Sequence, residues 1–249
     1  MLSMALAASL LLSAADPSGD AYGDGSYQLP TRFSSEERDS LDLRSFEVRD
    51  NAGFLQFEIG MGANANPLES PRGFSVPVID VFIKTASGGV LELGDLGFSA
   101  PIGSGWQQHL RFSGFDTVLE ELPQGADRPV RADASGIRIQ AQGSRILVDT
   151  RIPSGEYSYW VASRVFDPLT PKGYQEPGLE AGPYTLSAPA SGMPSAVDVL
   201  VEGPQAAAYR DRRLPAIGKL RDDRPYILLA IGAVSLLLAI VATIGAWRR

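Results

Sequence analysis

The sequence contains no cysteine and a single histidine, His109, among its 249 residues. The first absence removes disulfides, thiolate catalysis and cysteine-ligated metals together. The second leaves a Ser-His-Asp triad one candidate base, and His109 stands in the strand-like QQHLRF with no G-x-S-x-G motif beside it. Glu120 and Glu121 are the adjacent acids a glycosidase pair would draw on, yet neighbours on a strand point to opposite faces. There is no P-loop, no glycine-rich dinucleotide turn and no zinc-ligand spacing, so the chain does not read as an enzyme. Basic residues are outnumbered, 22 Lys and Arg against 29 Asp and Glu, and they are scattered. A nucleic-acid backbone would find no cationic stripe to bind.

Long helical periodicity is also missing before the C-terminal end, as is any internal repeat. What is present from Leu41 onward is a series of short strand patterns. LDLRSFEVRD is followed by the turn DNAG and by FLQFEIGM, where Leu55, Phe57, Ile59 and Met61 alternate with Gln56, Glu58 and Gly60. That is the period of a half-buried antiparallel strand. VPVIDVFIK, VLELGD, QQHLRFSGF, GIRIQAQG, RILVDTRIP, YSYWVASRVFD and AVDVLVEG follow, separated by Gly, Pro, Ser and Asp. Eight or nine strands with hairpin-length connections predict an all-β, two-layer antiparallel sandwich rather than a parallel sheet with helical crossovers. Residues 62–73 and 167–195 read as loops.

The two ends differ from the body. YILLAIGAVSLLLAIVATIGAW, Tyr226 to Trp247, carries no charge and is followed by Arg248 and Arg249. At a rise of about 1.5 Å per residue such a run crosses a hydrocarbon layer of about 30 Å, with Tyr226 and Trp247 at the interfaces, and predicts a single C-terminal transmembrane helix. Residues 204–225, small, charged and punctuated by proline, read as a stalk. Residues 1–15, MLSMALAASLLLSAA, are signal-like in their apolar centre and their small-residue ending, but have no basic n-region. They are either a signal segment or a first strand. The expected arrangement is a single-pass protein of the cell membrane with an extracytoplasmic body, residues 16–203.

Directly after this segment, DPSGDAYGDGSYQLPT places Asp16, Asp20 and Asp24 among glycines and prolines that rule out a helix. Oxygen ligands on turn-rich backbone suit a hard cation, calcium above all. The EF-hand register fails, because its glycine position holds Ala21 and its closing glutamate position Tyr27. A different calcium site, with Asp42 folding back beside the loop, competes with plain Asx turns. For ligand binding, Trp106 in the GSGW turn and Tyr159 and Trp160 in YSYWVAS are the candidate sugar-stacking residues, with core packing as the alternative. Met61 and His109, on separate strands, are a candidate pair of haem ligands.

Taken in order, DPSGDAYGDGSYQLPT, LDLRSFEV, FEIGMGANANPLESPRGFSVPVIDVFIKTASGG, GW, a strand ending in RIP, YWV and AVDVLVEG resemble the C-terminal binding module of glucodextranase. The resemblance spans Asp16 to Ile217. It implies an immunoglobulin-like β-sandwich related to family 9 carbohydrate-binding modules and DOMON domains. It also implies calcium near the opening aspartates, and binding to glycan or cell-envelope polymer. Asp16 and Asp20 match the motif's acids and Asp42 the acid of its DL strand, while Asp24 falls where the family often has proline. Leu68 stands where the family has tryptophan in NPW, Val76 replaces a glutamine-like position, and DPLTPKGYQEPG replaces a DG-rich block. The expectation is a membrane-anchored glycan-binding module with a structural calcium site at Asp16, Asp20 and Asp42. Its rivals are a haem-binding DOMON-like electron carrier and an envelope spacer without a ligand.

Overall fold

The computed structural model describes residues 8–219 and, beyond them, 231, 232 and 235. The expected membrane span lies almost wholly outside the described residues, among which no helix is long and apolar enough to cross a membrane. The chain divides into two compact units, Met1–Lys219 and Leu220–Arg249. The first is an all-β sandwich.

In chain order its elements are β1 (Ser9–Ala15), α1 (Ser35–Asp39), β2 (Leu43–Asn51), β3 (Phe54–Met61), β4 (Pro77–Lys84), β5 (Gln108–Phe112) and β6 (Thr117–Glu121). They continue with β7 (Val130–Ala132), β8 (Arg138–Gln142), β9 (Arg145–Pro153), β10 (Ser158–Val165), β11 (Asp198–Val199), α2 (Gln205–Asp211) and β12 (Ile217–Gly218). One sheet has five strands in the order β1-β2-β3-β9-β8. The other follows the path β11-β10-β4-β5-β6-β7, with β12 also on β10, and every strand pair is antiparallel. Ser9–Ala15, the end of the signal-like segment, is thus the edge strand beside β2, with Ala15 opposite Ser45.

Local sequence explains the β2–β3 hairpin. Ala52 and Gly53 both adopt positive φ, 54° and 87°, as a two-residue hairpin loop requires. The Gly53 N–H donates to Asp50 Oδ1 at 2.7 Å, closing the turn. Beyond it, Leu55, Phe57 and Ile59 face the interior between the sheets. There Tyr159 of β10 meets Phe46 and Phe57 edge-on, with ring centroids 5.5 and 6.0 Å apart.

The centre of the second sheet is enclosed on both sides. Every residue of β4 and β10 is buried. Their inner face, with Ile79, Val81, Tyr159 and Val161, packs on the five-stranded sheet, while Phe82 and Trp160 belong to an outer cluster with Leu93, Leu96, Phe98 and Trp106. The predicted strand VLELGD is part of this cover and makes the isolated bridges Val90 to Trp106 and Glu92 to Ser99 rather than a strand of the sheet. AVDVLVEG is likewise reduced to β11. The loop expected at 167–195 is tied down along its length, with Gln28 and Ser187 exchanging backbone hydrogen bonds of 2.9 and 3.0 Å.

A charged chain runs through the same outer layer. His109 directs Nε2 to Asp80 Oδ1 at 2.7 Å and Nδ1 to Glu120 Oε2 at 2.9 Å. Arg164, fully buried, lies 2.6 Å from Asp80 and 2.8 Å from Asp95, which in turn accepts from the Tyr174 hydroxyl. Only a doubly protonated imidazole can donate to two carboxylates at once.

The stalk predicted over 204–225 is corrected through Lys219. Pro204 caps α2, whose Ala208 and Tyr209 are buried, and the Tyr209 hydroxyl donates to Ala196 O at 2.9 Å. Leu214 is buried as well and accepts from Trp160 Nε1 at 2.8 Å, and β12 adds to the sheet. A helix as short as QAAAYRD cannot show two turns of apolar spacing, so its buried face was not legible as one.

Candidate metal centre

The turn-rich opening stretch leaves β1 at Asp16 and folds back against the end of β11. Gly19 at φ 80° reverses the chain so that its N–H donates to Asp42 Oδ2 at 2.9 Å. Gly23, at φ 63°, donates its N–H to Val197 O at 2.7 Å, and a Cβ there would come within 2.6 Å of the Tyr27 ring. Glycine is therefore required on both backbone and packing grounds.

This path gathers acids. Asp16, Asp20 and Asp198 each place a carboxylate oxygen within 4.8 Å of the others. Asp198, in β11, has no solvent exposure; one of its oxygens accepts from the Leu43 N–H at 2.7 Å. Asp42 lies alongside, with one oxygen taken by Gly19 and by Arg44 Nη2 at 2.5 Å. Four buried carboxylate oxygens have no protein partner: Asp16 Oδ2, Asp20 Oδ1, Asp42 Oδ1 and Asp198 Oδ1. Leaving such atoms dry and unpaired is costly.

The electrostatics match. Burial, then the charges of Asp20 and Asp42, push the Asp16 carboxyl up to about 7. Burial, followed by Asp16, lifts Asp198 well above the usual carboxylate range, and burial also raises Asp20 and Asp42. Arg44 is the cation that acts on Asp16, Asp20 and Asp42. The donor set, all oxygen, crowded and short of positive charge, fits a hard divalent cation.

Of the residues singled out in the sequence, Asp16 and Asp20 come together here. Asp42 sits beside them, and Asp198 is the third acid whose carboxylate oxygen lies within 4.8 Å of those of Asp16 and Asp20. Asp24 does not join them and closes its own turn, accepting from the Ser26 N–H at 3.0 Å. Asp198 was overlooked because it lies far along the chain in an apolar strand pattern. The signal that could have found it is a lone carboxylate in AVDVLVEG, where alternation puts it among buried neighbours.

The family model for the C-terminal, SLH-like binding module of glucodextranase matches residues 11–205. The chain belongs to this family. No curated protein matches the chain. The glucodextranase module is a binding module rather than a catalytic domain, and its matched range opens within β1 and closes at the start of α2, so Asp16, Asp20, Asp42 and Asp198 all fall inside it.

The stacking residues expected of such a module need correction. Trp106, Tyr159 and Trp160 are all buried, at 1%, 1% and 0% exposure, and present no ring face to a ligand. Trp106 Nε1 donates to Glu92 O at 2.6 Å, and Phe82 packs against Trp106 at 5.3 Å. The five-stranded sheet covers the Tyr159 face of β10, and the outer cluster with Leu93, Leu96 and Phe98 covers the Trp160 face. Met61 and His109 are likewise kept apart. Met61 belongs to the core between the sheets, whereas His109 stacks on Phe82 in the outer layer with both nitrogens engaged. No ring nitrogen is left to ligate haem iron.

Proposed function

We propose that this chain is a non-catalytic carbohydrate-binding module of the cell surface. Its immunoglobulin-like sandwich is held outside a membrane by a helix over Tyr226 to Trp247, with calcium bound at the Asp16 cluster as a structural ion. The carbohydrate role is supported by the family, the SLH-like C-terminal binding module of glucodextranase. The membrane position rests on the uncharged run and on Arg248 and Arg249 as the cytoplasmic flank.

The observation that carries the calcium assignment is the set of four unpaired carboxylate oxygens of Asp16 just after β1, Asp20 in the following turn, Asp42 just before β2 and Asp198 in β11. When bound, calcium supplies positive charge and a demand for several oxygen ligands. Asp16, Asp20 and Asp198 would hold it, with Asp42 oriented beside them by Arg44 and Gly19.

The test is retention of the full chain on immobilised polysaccharides, neutral glucans and envelope polymers included, with calcium and with chelator. Retention on at least one polymer, lost or weakened in chelator, is expected. A chain that passes every matrix unretarded in both conditions would be a spacer instead.

A further inference from the structure

With Trp106, Tyr159 and Trp160 enclosed in the core, a sugar-stacking surface has to be sought elsewhere, and this search rests on the glycan-binding reading above. Among the described residues the aromatic side chain most open to solvent is Tyr184, at 66% exposure. It stands on the edge of a cleft of about 540 Å³ formed by the segment 167–186. That size lies within the range of about 300–1,000 Å³ common to small-ligand sites.

The ring is held in place. The Thr31 N–H donates to Gly182 O at 3.0 Å and the Arg32 N–H to Pro183 O at 3.4 Å, so the short stretch before Tyr184 is anchored to the N-terminal part of the module. The Arg32 guanidinium lies 4.9 Å from the centroid of the Tyr184 ring. Gln175 fastens the other side, donating Nε2–H to Tyr184 O at 2.8 Å and accepting from the Leu186 N–H at 2.7 Å. An exposed aromatic fixed by backbone bonds and a cation loses little entropy on meeting a ligand. Leu179, equally exposed at 66%, extends the apolar edge.

The lining of the cleft also carries acids. Asp167, Glu176 and Glu180 line it with Thr185, and the one lysine nearby, Lys172, is paired with Glu176 at 2.5 Å. Carboxylates accept hydrogen bonds from vicinal hydroxyls and repel polyanions. We propose that this cleft is the glycan subsite of the module, that Tyr184 is its stacking platform, and that its ligand is a neutral polysaccharide rather than an acidic envelope polymer.

The experiment is affinity electrophoresis of the full chain through gels containing dextran or starch, with polygalacturonate as the anionic control. Tyr184→Ala lowers affinity for the neutral glucan about tenfold, the scale of losing one aromatic contact. Tyr184→Phe keeps most of the affinity, and Ile102→Ser, at a remote exposed position, keeps all of it. Equal melting temperatures show that the variants are folded. Tyr184→Ala bound as tightly as wild type overturns the subsite while leaving the glycan-binding function standing. Preference for polygalacturonate overturns the ligand class, and wild type retarded by no polymer overturns both readings.

Discussion

Asp16, directly after β1, and Asp198, in β11, bring carboxylate oxygens within 4.8 Å of each other from distant points of the sequence, with Asp20 completing the group. In the absence of a cation these charges oppose folding. Calcium at one hundred times its dissociation constant adds about 2.7 kcal/mol of stability by mass action. Chelator should therefore lower the melting temperature of wild type, read by calorimetry. Asp198→Asn should abolish the calcium-dependent rise, and in chelator it should melt above wild type, because one of the repelling charges is gone. A variant that still gains full stability from calcium would remove Asp198 from the site.

Asp24 offers the internal control. Its carboxylate caps the turn to Ser26 and stays outside the cluster. Asp24→Ala should shift the melting temperature equally with and without calcium, so that the difference between the two conditions is unchanged.

His109 gives a pH dependence of defined sign. Burial alone would lower its pKa, but the bonds to Asp80 and Glu120 prevail and hold it above the ordinary 6.5. Burial likewise opposes the charge of Asp80, yet Arg164 and then His109 keep that carboxyl below its usual value, and the bond from His109 does the same for Glu120. Arg111 is the further charge acting on both acids. With the folded pKa raised, the stabilisation is complete below 6.5 and is lost as pH climbs through the folded value. Melting temperatures followed upward from pH 6 should fall for wild type by more than for His109→Gln. Parallel curves would show that the imidazole is not charged.

Trp106→Ala and Trp160→Ala should each cost about 3–5 kcal/mol in denaturant unfolding, the range for truncating a buried aromatic. A solvent-exposed stacking residue would cost a fraction of that. Trp160→Ala also leaves Leu214 O without its donor, loosening the segment after α2.

How far the sequence could be read depended on how each strand is covered. β3 alternates cleanly because Gln56 and Glu58 face outward while Leu55, Phe57 and Ile59 face in, and the turn DNAG fixed the hairpin by the φ values its last two residues must adopt. In β4 and β10 both faces are buried, so the pattern gave strands but no indication of which side was open. Sequence alone therefore leaves Trp160 open between stacking on a ligand and packing in the core. The acids of DPSGD were legible from their turn chemistry. Asp198 was not, since only tertiary structure brings β11 to the turn after β1, and an aromatic such as Tyr184 in a proline- and glycine-rich loop has no periodicity to reveal its exposure.

The meeting of Asp16 and Asp198 has a topological consequence in a chain that has no cysteine. The ion proposed between them would tie together two points that enclose nearly the whole sandwich in sequence, much as a disulfide would. In the chain-entropy account a covalent tie closing a loop of about 100 residues is worth about 4.7 kcal/mol. A tie made by an ion differs in what opens it, dilution of the ion rather than reducing power, so with the proposed calcium in place the module's cohesion would follow the salt composition of its surroundings and not their redox state.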